Sequence, residues 1–281
     1  MKVLVTGANG MIGSRLVMGL LEAGYEVVGL DRTDSNIKRA NYTSITVDLS
    51  DKDRLKEIVN ENNIDRIIHL AALAHRSKER DLSWEHYNHI NVECAKNVFE
   101  IADDRPVLFI STVDVFGFYD GKERVNVKTK LHPVTKYGKS KALAENECKK
   151  IKQYNIFRFS PVYTETIKRD IQKRYYLKYP NVAYRIGKGT YYEILDINLA
   201  VSEMVNWCRS IPNNEIRIIK DSIPMWTPDY IEAERKAGRA KIVLYFPKWI
   251  VTLGYSVLYM FLGKTDKIYL LNKAIHPLKT E

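Results

Sequence analysis

The chain has 281 residues, 45% of them hydrophobic and 28% charged, with a formal net charge of +10. That is length for one large or two modest domains with a real core, and a composition that excludes a disordered or fibrous chain. Three cysteines far apart in sequence, Cys94, Cys148 and Cys208, exclude a disulfide scaffold and a four-cysteine zinc site, and fit a reducing compartment.

In chain order, Lys2–Thr6 reads as a buried strand, and apolar residues at Met11, Ile12, Leu16, Leu20 and Leu21 predict a helix over 11–23 that stops at Gly24. Further strands are predicted at 25–30, 44–47, 66–70, 107–111 and 156–159. Helices are predicted at 52–62, 91–102 and 136–153. Strand-helix alternation of this kind predicts βαβ units around a parallel sheet, hence an α/β fold of the Rossmann, doubly wound type. After residue 160 the alternation stops and tyrosines and lysines become frequent. The expected domains are a nucleotide-binding domain over 1–165, with a returning segment near 190–208, and a smaller substrate-binding domain over 166–281. No charged leader with an apolar core and a small-residue cleavage site precedes the first strand, so a cytoplasmic protein is expected.

The charge is unevenly spread. Residues 1–150 hold 23 Lys or Arg against 22 Asp or Glu, so nearly all the positive excess lies in 151–281. Such a field suits an anionic ligand, a membrane surface or nucleic acid. No nucleic-acid motif accompanies it, and no nucleic-acid partner is expected.

Between the first strand and the first helix runs Thr6-Gly7-Ala8-Asn9-Gly10-Met11-Ile12-Gly13. Glycines at 7, 10 and 13 permit a tight turn and close approach of the backbone to a pyrophosphate, and the helix N-terminus offers free N–H groups and a positive dipole end. Asp31 ends the second strand 18 residues past Gly13, where an acid would bind the adenosine ribose hydroxyls. Its charge opposes a 2′-phosphate and favours NAD, while Arg32 beside it would accept that phosphate and leaves NADP open.

Tyr137 and Lys141 are one helical turn apart at the start of a predicted helix. A free tyrosine has a pKa of about 10, and a neighbouring ammonium stabilises its phenolate and moves it toward neutral pH. Thr112 supplies a hydroxyl at the end of the fifth strand.

Taken together, the marks are residues 7–13, Asp31, Asp48-Leu49, His69-Leu70-Ala71-Ala72, Asn91, Ser111-Thr112 ahead of Val115-Phe116-Gly117, and Tyr137 with Lys141. By them the chain resembles the extended short-chain dehydrogenase/reductases, within them the NAD-dependent epimerase/dehydratase family acting on nucleotide-sugars. The likeness is strong over residues 1–165 and loose beyond. It implies that Asp48 and Leu49 flank the adenine, that Leu70, Ala71 and Ala72 line the cofactor, and that Asn91, Ser111, Ser160 and Pro161 lie in its surroundings. It further implies that Thr112 hydrogen-bonds the reacting sugar oxygen, that Tyr137 moves the proton, and that Lys141 holds the nicotinamide ribose and tunes Tyr137. No metal is expected.

Departures from the family pattern bear on the reaction. The family's dehydratases carry an Asp-Glu pair after the catalytic threonine, and here those positions are Val113 and Asp114. The loop around Ser160 has Thr164-Glu165 in place of a glycine-proline, Pro161 in place of an asparagine, and Asn198 replaces an aspartate farther on. The resemblance therefore implies an epimerase working through a transient ketone, at C4, with a ketoreductase as the alternative and a dehydratase behind both. A cofactor-binding regulator is the non-enzymatic alternative. Candidates on the substrate side are Asp114, which reads equally as a solvated loop residue, His75, and for the diphosphate Lys168, Arg169, Lys173, Arg174 and above all Arg185. The apolar stretch over 242–262 is expected to pack inside the second domain or at a dimer contact rather than on a membrane surface. The family implies a homodimer through the helices near 91–102 and 136–153.

Overall fold

Apolar runs without alternation, such as Val3-Leu4-Val5 and Val27-Val28, form strands covered on both faces, which is where continuous hydrophobicity belongs. The computed structural model describes residues 1–74, 82–165 and 169–281. Its strands are β1 (Lys2–Thr6), β2 (Glu26–Asp31), β3 (Tyr42–Thr46), β4 (Arg66–His69), β5 (Val107–Thr112), β6 (Tyr154–Phe159), β7 (Val162–Tyr163), β8 (Tyr176–Lys178), β9 (Val182–Ile186), β10 (Tyr191–Tyr192), β11 (Leu195–Asp196), β12 (Ile216–Ile219), β13 (Met225–Trp226) and β14 (Ile242–Phe246). The helices are α1 (Met11–Glu22), α2 (Lys52–Glu61), α3 (Trp84–Asn88), α4 (Cys94–Glu100), α5 (Lys136–Cys148), α6 (Arg169–Gln172), α7 (Ile197–Arg209), α8 (Thr227–Lys236), α9 (Lys248–Leu262) and α10 (Asp266–Ile275). A π-helical turn, His89–Glu93, joins α3 to α4.

Seven strands form the main sheet in the order β12-β6-β5-β4-β1-β2-β3, parallel from β5 through β3. The strand order reverses between β1 and β4, so the crevice at their carboxyl ends is the topological switch point where such sheets take a ligand. This is the Rossmann-type doubly wound α/β fold that the alternation predicts.

The chain divides into two compact units. Unit 1 comprises residues 1–112, 136–158 and 198–217. Its core joins Leu4, Val28, Leu30, Ile67 and Phe109 of the sheet to Leu55, Ile58, Val98 and Ala144 of the covering helices. Each such fully buried large side chain contributes about 1.5–3 kcal/mol relative to exposure. Unit 2 comprises residues 113–135, 159–197 and 218–281 and holds three small sheets, β10-β13, β11-β7 and β14-β9-β8. Its core is rich in tyrosine, with Tyr175, Tyr176 and Tyr192 buried beside Ile171, Ile194, Met225 and Ile231.

Three differences from the sequence reading have physical reasons. The helix expected over 91–102 begins at Trp84 and passes through the π turn, which carries the buried, polar Asn91 and so hides the apolar period. α5 stops at Cys148 rather than at 153, because residues 149–153 turn back into β6. The stretch over 242–262 forms β14 and α9, and the packing expected for it is confined to one helix face: no α9 residue is buried. The three cysteines are free and buried, and burial pushes the Cys94 thiol up to about 11. Among the described residues no helix is long and apolar enough to cross a membrane.

Candidate active site

The loop after β1 requires glycine at two positions. Gly7 has φ +70°, and a Cβ there would lie 2.9 Å from the backbone of Ala71; a Cβ on Gly13 would lie 2.1 Å from the Gly7 carbonyl oxygen. α1 starts at Met11 with no side-chain cap from Gly10 and no acidic residue in its first turn. Its first N–H groups have no intrahelical acceptor, and an anion is the partner such an end lacks. The loop is clamped to the end of β2: the Asn9 N–H donates to Asp31 (3.0 Å), and the Asn9 amide donates to the Thr33 carbonyl (2.5 Å). The second Asp31 oxygen accepts the N–H of the exposed Arg32 at 2.8 Å.

Beyond β3, Asp48 is exposed and accepts the Ser50 N–H, which holds its carboxyl below the usual range; Leu49 is half-buried. At the end of β4, the Thr6 hydroxyl accepts the Ala71 N–H (3.3 Å) and pairs with His69 Nδ1 (2.7 Å), which fixes the half-exposed Leu70, Ala71 and Ala72. Burial holds His69 neutral by lowering its pKa to about 3, with Lys141 adding to the effect. The Asn91 carboxamide accepts the Leu73 N–H (2.6 Å) and donates to the Leu73 carbonyl (3.0 Å) and to the Ser140 hydroxyl (2.8 Å). Ser140 in turn donates to the Tyr137 carbonyl. Asn91 therefore ties the segment after β4 to the first turn of α5.

Thr112 ends β5, and α5 packs on that strand with Tyr137 half-exposed and Lys141 buried. The Lys141 ammonium stands 4.1 Å from the Phe109 ring centroid, three residues before Thr112. Loss of hydration lowers its pKa to about 7, against the opposing pull of Glu145. Glu145, one turn beyond Lys141, is buried and takes a forked pair from Arg158 at 3.0 and 2.8 Å and the Ser111 hydroxyl at 2.6 Å. Glu145 is a residue the sequence reading missed, although its helical spacing from Tyr137 and Lys141 was a usable signal. The Ser111 side chain is thus directed to Glu145.

In unit 2, Ser160 is buried and its hydroxyl has no partner among the described residues, and the Pro161 carbonyl accepts the Leu195 N–H. Asp114 is buried rather than solvated. It accepts Thr135 at 3.1 Å and Tyr269 at 3.0 Å and pairs with Lys273, so that it moors α10. Among the basic candidates, Arg185 is exposed on β9 and lies over Tyr245, and Lys173 is exposed. Arg174 is half-buried over the Tyr192 ring at 4.5 Å, and its Nε is buried without a partner among the described residues. His75 and Lys168 lie outside the described residues; Arg169 begins α6.

The model of the NAD-dependent epimerase/dehydratase family matches residues 3–196. The chain belongs to this family. An uncharacterised epimerase/dehydratase of Staphylococcus aureus (strain MRSA252) is 28% identical over 172 residues, covering 56% of this chain and 49% of the relative, so the match spans about half the relative's length. The fold is that of the UDP-glucuronic acid 4-epimerase of Bacillus cereus in complex with NAD, at 21% identity and a TM-score of 0.70 over 98% of this chain and 97% of that one. It is shared with the dTDP-glucose 4,6-dehydratase of Bacillus anthracis in complex with NAD, at 19% identity and a TM-score of 0.69 over 88% and 84%.

Two outcomes follow from the packing of this family member. Gly13→Ala gains about 1 kcal/mol of helix propensity but drives a methyl into the Gly7 carbonyl, where overpacking costs about 1–3 kcal/mol. A net loss of stability is expected in urea unfolding, and a variant more stable than the wild type would show that the contact relaxes freely. Lys141→Met removes a buried ammonium whose native pKa lies below its unfolded one. Between about pH 7 and about pH 10.4 the unfolded chain holds the extra proton, so this lysine's cost to stability falls as pH rises. The variant should be more stable than the wild type near pH 7, by on the order of a few kcal/mol, with the gap closing toward pH 10. A gap that widens with pH would contradict the assignment.

Proposed function

We propose that the chain is an NAD-dependent enzyme that inverts a ring carbon, C4, of a nucleotide-linked hexose through a transient ketone. The observation that carries this reading is the placing of Thr112, Tyr137 and Lys141 on β5 and α5, in the same unit as the glycine cradle and the uncapped start of α1. Residues 7–13 would hold the pyrophosphate, Asp31 the adenosine ribose, Asp48 and Leu49 the adenine side, and Leu70, Ala71 and Ala72 the wall of the site. The Asp31 charge favours NAD over NADP, and Arg32 is the residue that would soften that preference.

Bound NAD supplies the acceptor and later the donor of a hydride. Tyr137 takes the hydroxyl proton from the C4 oxygen as the C–H bond breaks, and Thr112 holds that same oxygen. Lys141 as a cation lowers the Tyr137 pKa and orients the ribose. Tyr137 would return the proton to the same oxygen once the ketone has turned, and with the hydride returned to the other face of C4 the inversion would involve no net oxidation. Elimination of water needs a free acid-base pair beside the threonine. Val113 has none, and Asp114 is engaged by Thr135, Tyr269 and Lys273, which places dehydration behind epimerisation. Arg174 in unit 2 is the best-supported contact for the diphosphate, because its guanidinium is half-buried and its Nε has no partner among the described residues. Unit 2 as a whole is proposed as the sugar-recognising part, and the protein as a cytoplasmic homodimer; the free, buried cysteines support the reducing setting.

Tyr137→Phe should lower turnover of a nucleotide-hexose by about 10²–10⁴-fold while NAD binding stays intact. A fully active variant would overturn the mechanism. Net consumption of NADH with a keto-sugar, in place of inversion, would move the reading to the ketoreductase.

A further inference from the structure

α9 carries no charge after Lys248, and only one of its faces is docked. Tyr255 accepts a hydrogen bond from Asn272, and the Tyr259 ring meets Phe118 at 6.1 Å. The opposite arc, Trp249, Leu253, Val257, Met260 and Phe261, points away from these anchors, with Trp249 69%, Met260 72% and Phe261 75% exposed. Before Pro247, β14 is the edge of its sheet, parallel-paired to β9 alone, and Ile242, Leu244 and Tyr245 are exposed too. An open groove lined by Lys188, Tyr245, Lys248, Trp249 and Leu253 continues the same surface. A contiguous apolar surface of this kind marks a docking site rather than scattered exposure.

Charge identifies the occupant. From residue 235 to residue 265 the chain has no Asp or Glu. Arg235, Lys236 and Arg239 face Glu232 or Glu234, but Lys241, Lys248 and Lys264, which bracket the apolar surface, have no carboxylate partner among the described residues. At about 1.5 Å per residue, α9 is far shorter than a bilayer core of about 30 Å, so it suits lying in an interface. Trp249 and Tyr245 are the amphipathic side chains favoured at headgroup depth. A two-fold contact with a second copy would set this lysine rim against itself, with no acid in the segment to meet it.

We propose that β14 and α9 form a membrane-docking surface whose partner is an anionic lipid bilayer. The surface lies wholly in unit 2 and contains none of Thr112, Tyr137 and Lys141, so the proposal stands apart from the proposed chemistry.

The test is flotation of the full chain with phosphatidylcholine vesicles containing about 30 mol% phosphatidylglycerol, against phosphatidylcholine alone. Binding to the anionic vesicles that weakens with salt is expected. Met260→Glu combined with Phe261→Glu should weaken it by more than about tenfold. Lys241→Glu with Lys248→Glu should weaken it more than about twentyfold, since each lysine near an anionic leaflet contributes about fivefold. Ile211→Glu, on an exposed side chain of unit 1, should leave it unchanged. All these side chains are exposed, and unchanged circular dichroism checks that the variants fold. The proposal is overturned by failure of the wild type to float, by equal flotation of the Met260→Glu/Phe261→Glu chain, or by a wild-type dimer that ignores vesicles and becomes monomeric in that variant.

Discussion

A buried carboxylate organises the unit that carries the glycine loop, Tyr137 and Lys141. Glu145 has no access to water, and a bare carboxylate in that setting would cost several kcal/mol. Arg158 on β6 closes on it as a fork and Ser111 on β5 adds a third bond, so α5 is locked to two adjacent strands of the sheet. Losing one partner of such a pair costs about 3–5 kcal/mol, so the position of α5 is fixed. Everything α5 carries, Tyr137 and Lys141 included, inherits that position. Because Arg158 occupies the fork, Lys141 gains only a distant pull from Glu145 and the face of Phe109. An ammonium so poorly compensated is ready for the hydroxyls and the phenolate that the proposed chemistry offers it.

The second constraint is steric. The sheet reverses its strand order between β1 and β4, and the loop that uses this crevice approaches its neighbours too closely for any side chain at Gly7 or Gly13. The contacts among Asn9, Asp31 and Thr33 and those among Thr6, His69 and Ala71 hold the two rims from either side. Nothing in this arrangement selects a sugar. Its steric demands suit a dinucleotide, and under the proposed function discrimination among substrates would fall to side chains such as Arg174.

Much of unit 1 was legible in the sequence because its signals are local. Strands covered on both faces read as apolar runs, the glycine loop and Asp31 stand at fixed separations, and Tyr137 with Lys141 shows one helical turn. Glu145 showed the same spacing but is polar, and its meaning came only from Arg158 and Ser111, which the fold brings to it. Asp114 was ambiguous because its partners Tyr269 and Lys273 lie more than 150 residues away in the chain. The apolar segment over 242–262 was legible as a surface that something covers, but hydrophobicity alone does not say whether the cover is this chain, a second copy or a bilayer.

The proposed chemistry stands or falls on whether this fold holds a nicotinamide cofactor for reversible hydride transfer on a sugar. Native mass spectrometry of freshly purified protein, with absorbance in the reduced-nicotinamide band, tests it most directly. One tightly retained NAD per chain, partly reduced when a nucleotide-hexose is added, is the expected result. Protein that neither retains nor takes up NAD or NADP would contradict it.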